Sequence, residues 1–254
     1  MKRNGISSST PRKEAPSNGI HHDGIHHDDP DAAELLLDEL GDAHASTSTT
    51  ETPLRADAFD LDDDAKIKLI EGHFREIMNV LGLDLTDDSL NGTPRRVAKM
   101  FVKETFSGLN PANKPLPTLF DNKYKYGEML VEKDITVHSY CEHHFVPIMG
   151  KAHVAYISSG NVIGLSKLNR MVQYFAKRPQ VQERLTVQIA EELKAALQTE
   201  DVAVIIDAKH LCVSTRGVND TASSTVTASY GGKFQNEATR QELLRYIGQI
   251  NVTI

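Results

Sequence analysis

The sequence contains only two cysteines among its 254 residues, and it has no long run of apolar residues. Two cysteines are too few for a disulfide scaffold, so we expect a protein of the reducing cytoplasm. No stretch of about 18 apolar residues occurs, which argues against a membrane span. The first residues, MKRNGISSSTPRKEAP, lack an apolar segment, so no secretory signal is expected.

Positive charge is also scarce, because 28 Lys and Arg residues face 35 Asp and Glu residues. The first 60 residues hold 5 basic and 12 acidic residues and account for the whole formal net charge of −7. A nucleic-acid-binding domain is usually basic, so we expect no nucleic acid as a partner. We predict a disordered acidic tail over residues 1–60 and a folded domain over residues 61–254.

Apolar residues recur at helical and strand spacings after residue 60, and Pro and Gly divide the chain into short elements. Helices are predicted over 64–81, 93–108 (with Thr93 as N-cap), 166–177 (with Ser166 as N-cap), 181–197 and 237–247, and strands over 129–138, 145–157, 202–213 and 223–230. The two types are mixed without strict β-α-β alternation. This predicts an α+β fold, with an N-terminal helical segment and helices on one face of a largely antiparallel sheet.

The two cysteines have spacings typical of a metal site. Cys141 and His144 form a Cys-x-x-His pair that one tight turn can present to a tetrahedral zinc ion. Cys212 lies 71 residues later, at the end of the predicted strand 202–213, and can supply a third ligand. Three protein ligands leave a fourth position for water, which is the pattern of a catalytic zinc.

The alternative is that both cysteines are inert core residues, because free cysteine is among the most buried residue types. Spacing alone leaves these two interpretations nearly equal. Two further histidines, His143 and His210, favour the metal site, because imidazoles beside a metal suit proton transfer near neutral pH.

Cations follow the predicted starts of two helices, where the helix dipole disfavours positive charge. Free backbone amides, the dipole and several cations together form an anion site, so the set predicts a polyphosphate site, although each cation alone is an ordinary surface residue. The cations are Arg95, Arg96 and Lys99 after Thr93, Lys167 and Arg170 after Ser166, and Arg216 after the strand that carries Cys212.

Gln182 and Glu183 open the predicted fourth helix. An acidic residue in a first helical turn is common and stabilising, so a structural role is one interpretation. A carboxylate is also the natural acceptor for two parallel N–H groups of a guanine edge, which is the other.

With these residues in place, the chain resembles the GTP cyclohydrolase I family from about Ala65 to Gln249. The motifs that carry the resemblance are TPRRVAKMF (93–101), FSGLN (106–110), CEHHFVPIMGKAHVAYI (141–157), VIGLSKLNR (162–170), RPQVQERLT (178–186), DAKHLCVSTRG (207–217) and SSTVTASYGG (223–232). The acidic tail has no counterpart in the family pattern.

The resemblance implies a T-fold that assembles into rings, as a homodecamer of two stacked pentamers with active sites at subunit borders. It implies conversion of GTP and water to 7,8-dihydroneopterin triphosphate and formate, the first step of pterin and tetrahydrofolate synthesis. It also implies one zinc ion per subunit and a role for each matched residue. These are Cys141, His144 and Cys212 as zinc ligands; His143 and His210 as acid–base residues; Gln182 and Glu183 as base anchors; Ser166, Lys167, Arg170 and Arg216 as ribose and triphosphate contacts, Ser166 also shuttling protons; and Arg96 and Lys99 as contacts from a neighbouring subunit.

Two rival functions remain at this point. A zinc-stabilised binding module without catalysis would need a fourth protein ligand, and His143 is the adjacent candidate. A related T-fold enzyme could act on another purine or pterin, but the metal group beside a polyphosphate site speaks against it.

Overall fold

The structure, a computed structural model of the chain, describes residues 50–249. Residues 1–49 and 250–254 lie outside the described residues, and so does most of the tail predicted over residues 1–60. The described chain combines helices with sheets that are mostly antiparallel, which confirms the predicted α+β class.

A helical segment comes first, as predicted. It comprises α1 (Asp63–Val80), α2 (Thr93–Met100), a π-helical turn (Phe101–Thr105) and two 3₁₀ turns (Ser107–Leu109 and Pro111–Asn113). Asp62 caps α1 because its side chain accepts a hydrogen bond from the Ala65 N–H at 2.8 Å. The predicted cap of α2, Thr93, is instead its first helical residue, and Gly92 takes the cap position.

The main sheet has five strands in the order β5-β2-β3-β6-β7, and its pairs are antiparallel except for β5 beside β2. A two-stranded sheet pairs β1 with β4, and β1 lies in a stretch predicted as loop. The strands are β1 (Leu119–Asp121), β2 (Met129–Cys141), β3 (Pro147–Ile157), β4 (Asn161–Ile163), β5 (Pro179–Gln180), β6 (Val202–His210) and β7 (Thr225–Tyr230).

Two long helices cover one face of the main sheet and form the larger core with it. Alternate residues of β6, from Val202 to Ala208, point into this core and are at most 2% exposed. No helix in the described part of the chain is long and apolar enough to cross a membrane. The remaining helical elements are α3 (Leu165–Ala176), α4 (Gln182–Leu197), α5 (Leu211–Ser214), a 3₁₀ turn (Gly232–Gln235) and α6 (Glu237–Gln249), of which α3 and α4 are the two long helices.

The opposite face of the sheet is not bare along its whole length. Phe234 and Leu243, from the last 3₁₀ turn and α6, are buried with Ala203 and Ile205 of β6 in a second, smaller core. The prediction of helices on one face therefore describes α3 and α4, while α6 adds a partial cover on the other face.

The end of β6 differs from the predicted strand 202–213. The last residue of β6 with a strand partner is His210, opposite Ile148, and β3 begins at Pro147. Without a neighbour to pair with, the backbone turns into α5, so Cys212 lies on a helical turn. Ser166 likewise lies inside α3, whose N-cap is Gly164.

Part of the predicted tail contacts the folded domain. Gln188 of α4 donates a hydrogen bond to the Thr50 carbonyl at 2.8 Å, and Arg178 donates to the Thr52 hydroxyl at 3.2 Å. The Arg178 guanidinium also lies 4.6 Å from the ring centres of Tyr174 and Phe175, which fixes its position. Residues 50–52 therefore pack on the domain, although the predicted boundary is residue 60.

Gly150 of β3 lies where a side chain has no room, because an added Cβ would clash with the Asp207 carbonyl and with Ala208 of β6. We expect Gly150→Ala to lower the free energy of unfolding by about 1–3 kcal/mol, as overpacking forces the two strands apart. Urea unfolding measures the change. Gly72→Ala on α1 is the control, because nothing lies within 4 Å of its added Cβ and alanine favours a helix. Equal stability of wild type and Gly150→Ala would contradict this packing.

Candidate metal centre and substrate site

A tight turn follows β2 and carries two of the predicted metal ligands. The Cys141 N–H donates to the Val146 carbonyl, and the Phe145 N–H donates to the Cys141 carbonyl, both at 2.9 Å. Phe145 has a left-handed backbone with φ of 52°, which lets the chain reverse within a few residues. The turn from Cys141 to His144 is called the metal turn below.

The structure brings the three predicted ligands together. The ligand atoms of Cys141, His144 and Cys212 all lie within 4.8 Å of one another. Zinc–sulfur bonds of about 2.3 Å in a tetrahedral site put two ligand sulfurs about 4 Å apart, so the group is close to the size that zinc needs. Two thiols and an imidazole are also the donor types that zinc prefers.

Burial matters for the chemistry of this group. Burial raises the pKa of the Cys212 thiol, and the nearby Cys141 sulfur raises it further. A divalent cation favours the thiolate form, so metal binding offsets this burial. Arg216, predicted to point to the same place, has a guanidinium nitrogen 3.0 Å from His144 Nε2.

Both additional histidines lie at the metal group. His143 Nδ1 lies 3.7 Å from the Cys141 sulfur. His210 ends β6, two residues before Cys212, and its Nε2 lies 2.8 Å from Gln182 Oε1. Burial lowers the pKa of His210, and the negative charge of Glu183 opposes that shift.

Gln182 has contacts that differ from the predicted role of a base anchor. Its side chain is buried, and its amide nitrogen donates to the Ile206 and Thr225 carbonyls and to the Thr227 hydroxyl. This leaves the amide oxygen for His210. Gln182 therefore joins α4 to β6 and β7, while the adjacent Glu183 is exposed and is the member of the pair able to meet a ligand.

A buried ion pair beside the metal group escaped the sequence analysis. Arg184 of α4 donates to both oxygens of Glu142, at 2.6 and 3.1 Å, and its side chain is only 2% exposed. Glu142 is the second residue of the metal turn. The signal in the sequence is an arginine in the first turn of a helix, where a cation is unfavourable, but nothing in the pattern names its partner.

The cations of α3 lie far from the metal turn of the same chain. Asn169 contacts Glu132, and Gln173 contacts Thr136, which are nine and five residues before Cys141 on β2. At about 3.3 Å per residue, the first turns of α3 are roughly 16–30 Å from the metal turn. Within one subunit, Ser166, Lys167 and Arg170 are therefore not brought to the metal group.

The cations of α2 belong to the helical segment. Arg96 donates to the Ser89 carbonyl at 3.0 Å and to the Thr93 hydroxyl at 2.7 Å. Lys99 lines a cleft between α1 and α2 together with Arg95 and Glu71. The printed contacts of these residues, within the described part of the chain, are all with this segment.

An α+β fold with a Cys–His–Cys metal group and two adjacent histidines defines a metal-dependent enzyme with imidazole acid–base groups. The family model of GTP cyclohydrolase I matches residues 70–248. The chain belongs to the GTP cyclohydrolase I family, and its fold is the T-fold of that family.

Curated relatives match nearly their whole length. GTP cyclohydrolase 1 of Flavobacterium johnsoniae is 64% identical over 214 residues, covering 84% of this chain and 96% of the relative. GTP cyclohydrolase 1 of Citrobacter koseri is 55% identical over 202 residues, covering 79% and 91%. Among solved structures, archaeosine synthase QueF-Like in the apo form aligns at a TM-score of 0.36 and 20% identity, covering 42% of this chain and 97% of that one, which is too distant to bear on the fold.

Replacing Cys212 tests the metal group directly. We expect Cys212→Ser to bind zinc at least tenfold more weakly, because a serine hydroxyl is a poor substitute for a thiolate ligand. Competition with a chromophoric chelator measures the affinity. His138→Ala, which removes an exposed histidine from β2, should leave the affinity unchanged. Wild-type zinc affinity in Cys212→Ser would show that the group is not the metal site.

Proposed function

We propose that this protein hydrolyses and rearranges GTP to 7,8-dihydroneopterin triphosphate and formate, the first step of pterin and tetrahydrofolate synthesis. The observation that carries the proposal is the group of Cys141, His144 and Cys212, with ligand atoms within 4.8 Å of one another, in a chain of this family. The relatives named GTP cyclohydrolase 1 support the same reaction.

We infer that zinc is the metal, with one ion per subunit. Two thiolates and one imidazole suit zinc better than magnesium or calcium, which prefer oxygen ligands. When bound, zinc lowers the pKa of its water toward neutrality and supplies the nucleophile for hydrolysis. Both thiols must stay reduced to serve as ligands, which supports the cytoplasm as the compartment.

The hydrogen bonds around His210 define which nitrogen holds its proton. The amide nitrogen of Gln182 donates to β6 and β7, so its oxygen accepts, and the proton lies on His210 Nε2. Nδ1 of the neutral ring is then the nitrogen able to exchange a proton with substrate. His143 is the second imidazole at the metal group, and either ring is placed to protonate N7 of guanine while water attacks C8.

Glu183 anchors the base in this proposal. Its carboxylate is exposed on the first turn of α4, close enough to His210 to influence its pKa. It can accept hydrogen bonds from N1–H and the 2-amino group of guanine, two parallel donors that adenine lacks. This pairing holds C8, the atom to be attacked, on the side of the metal group.

The distance between α3 and the metal turn supports a site shared between subunits. Ser166, Lys167 and Arg170 would bind the ribose and triphosphate of a GTP whose base lies at the metal group of a neighbouring subunit. Arg216 would join them from the metal side, and Arg96 and Lys99 would come from a further subunit border. We infer a homo-oligomer, a homodecamer by resemblance, because one chain alone does not gather these cations and the metal group. The triphosphate is not cleaved, so its binding energy serves to position the base.

Turnover of GTP is the first test. The zinc-loaded protein should release one formate per GTP and give a product that oxidises to fluorescent neopterin triphosphate. ATP should give neither signal, because adenine offers Glu183 no matching pair of donors. Cys212→Ser should lose turnover together with zinc. Formate release by a zinc-free protein, or none from GTP by the loaded wild type, would contradict the proposal.

Mixed rings test the shared site. Arg170→Ala should raise the KM for GTP about tenfold or more, because it removes a charge-assisted contact to phosphate. Rings assembled from Arg170→Ala and Cys212→Ser subunits should be more active at low GTP than either variant alone, since some borders then combine an intact arginine with an intact metal group. Arg245→Ala, an exposed arginine on α6, is the control for Arg170→Ala. No gain in mixed rings would place both residues in one subunit's site.

A further inference from the structure

We propose that Arg184 and Glu142 are positioning residues: their ion pair ties the metal turn to the first turn of α4 and so sets where the base lies relative to the metal. The inference rests on the proposed function, because it concerns the alignment of guanine. It assigns a role to two residues that touch neither substrate nor metal in that proposal.

The geometry of the pair is the first support. Arg184 donates from two guanidinium nitrogens to the two Glu142 oxygens at 2.6 and 3.1 Å. Such a two-point contact fixes orientation as well as distance, which a single contact does not. The Glu142 side chain is 15% exposed, so solvent screens the pair only weakly.

The location of Arg184 is costly, which is the second support. It is the third residue of α4, where the positive end of the helix dipole disfavours a cation, and its side chain is buried. Removing two charges from water consumes most of the energy that their attraction returns, so a buried pair is a poor source of net stability. A placement unfavourable on both counts is better explained by alignment than by stability.

The first turn of α4 contacts both segments that carry metal ligands, which is the third support. Gln182 meets His210, two residues before Cys212, and Arg184 meets Glu142, between Cys141 and the two histidines of the metal turn. Glu183 lies between these two residues in the chain and is exposed. One helical turn therefore spans both ligand segments and presents the base anchor between them.

A contact within the metal turn extends the same arrangement to a histidine. Glu142 Oε1 lies 3.8 Å from His143 Nε2, and the Glu142 N–H donates to the Gln180 carbonyl at 3.0 Å. The carboxylate thus faces both Arg184 and the His143 ring. Loss of Arg184 would free the carboxylate and the turn that it belongs to.

The test compares Arg184→Lys, Arg184→Met and Glu142→Gln in the zinc-loaded full chain. Lysine keeps the charge and loses the two-point contact, so it separates alignment from charge. We expect each variant to lower kcat about 10- to 100-fold with less than about a threefold change in KM for GTP, because the substrate still binds but is misplaced. Zinc affinity should fall about 10-fold or more, as it does when groups that orient metal ligands are removed.

The double variant Glu142→Gln/Arg184→Met shows whether the two residues act as a unit. We expect it to lose no more kcat than the worse single variant, because the second substitution removes a contact already broken. Lys194→Met is the matched control, since it breaks ion pairs with Glu191 and Glu200 near the other end of the same helix. It should leave kcat and zinc affinity unchanged.

Arg184→Lys and Arg184→Met with wild-type kcat and zinc affinity, and only a lower unfolding temperature, would overturn the inference. Additive losses in the double variant would also overturn it. If the zinc-loaded wild type does not act on GTP, the proposed function fails, and the zinc affinities of the same variants still decide whether the pair positions the metal turn.

Discussion

The structure depends on one constraint: two thiols and one imidazole from segments 71 residues apart must meet within 4.8 Å. The register of the main sheet meets this constraint. β3 pairs with β2 at Tyr140–Pro147 and with β6 at Ile148–His210, so the metal turn and the end of β6 leave the sheet at the same edge. β6 ends there for lack of a partner, and the helical turn that follows carries Cys212 to the metal turn.

Helix α4 adds a second level of order. Its first turn hydrogen-bonds to His210 through Gln182 and to the metal turn through Arg184, while Glu183 remains exposed. The body of α4, from Leu185 onward, is packed in the larger core, which makes that turn a rigid support. The cations of α3 lie at a distant part of the same sheet. Chemistry at the base and binding of the triphosphate are thus assigned to different parts of the chain, and assembly would join them.

The sequence was sufficient for features that depend on local pattern. Cysteine spacing predicted the three residues of the metal group, and apolar periodicity predicted the helices and most strands, with boundary differences at Thr93, Ser166 and the end of β6. Features that depend on contacts between distant residues were not predictable in this way. Gln182 and its strand partners, and Arg184 and Glu142, are 24 to 45 residues apart in the chain. Nor does a linear pattern show that Arg170 and Cys141 are far apart along β2, since that follows from how α3 packs.

X-ray absorption at the zinc edge of the loaded, full-length protein tests the central claim most directly, because it counts ligand types without relying on turnover. The account predicts two sulfur ligands at about 2.3 Å and two lighter ligands, one imidazole nitrogen and one solvent oxygen, at about 2.0–2.1 Å. Addition of a GTP analogue should perturb the lighter ligands and leave both sulfurs in place. A shell with fewer than two sulfurs, or one closed by a second imidazole, would contradict the account.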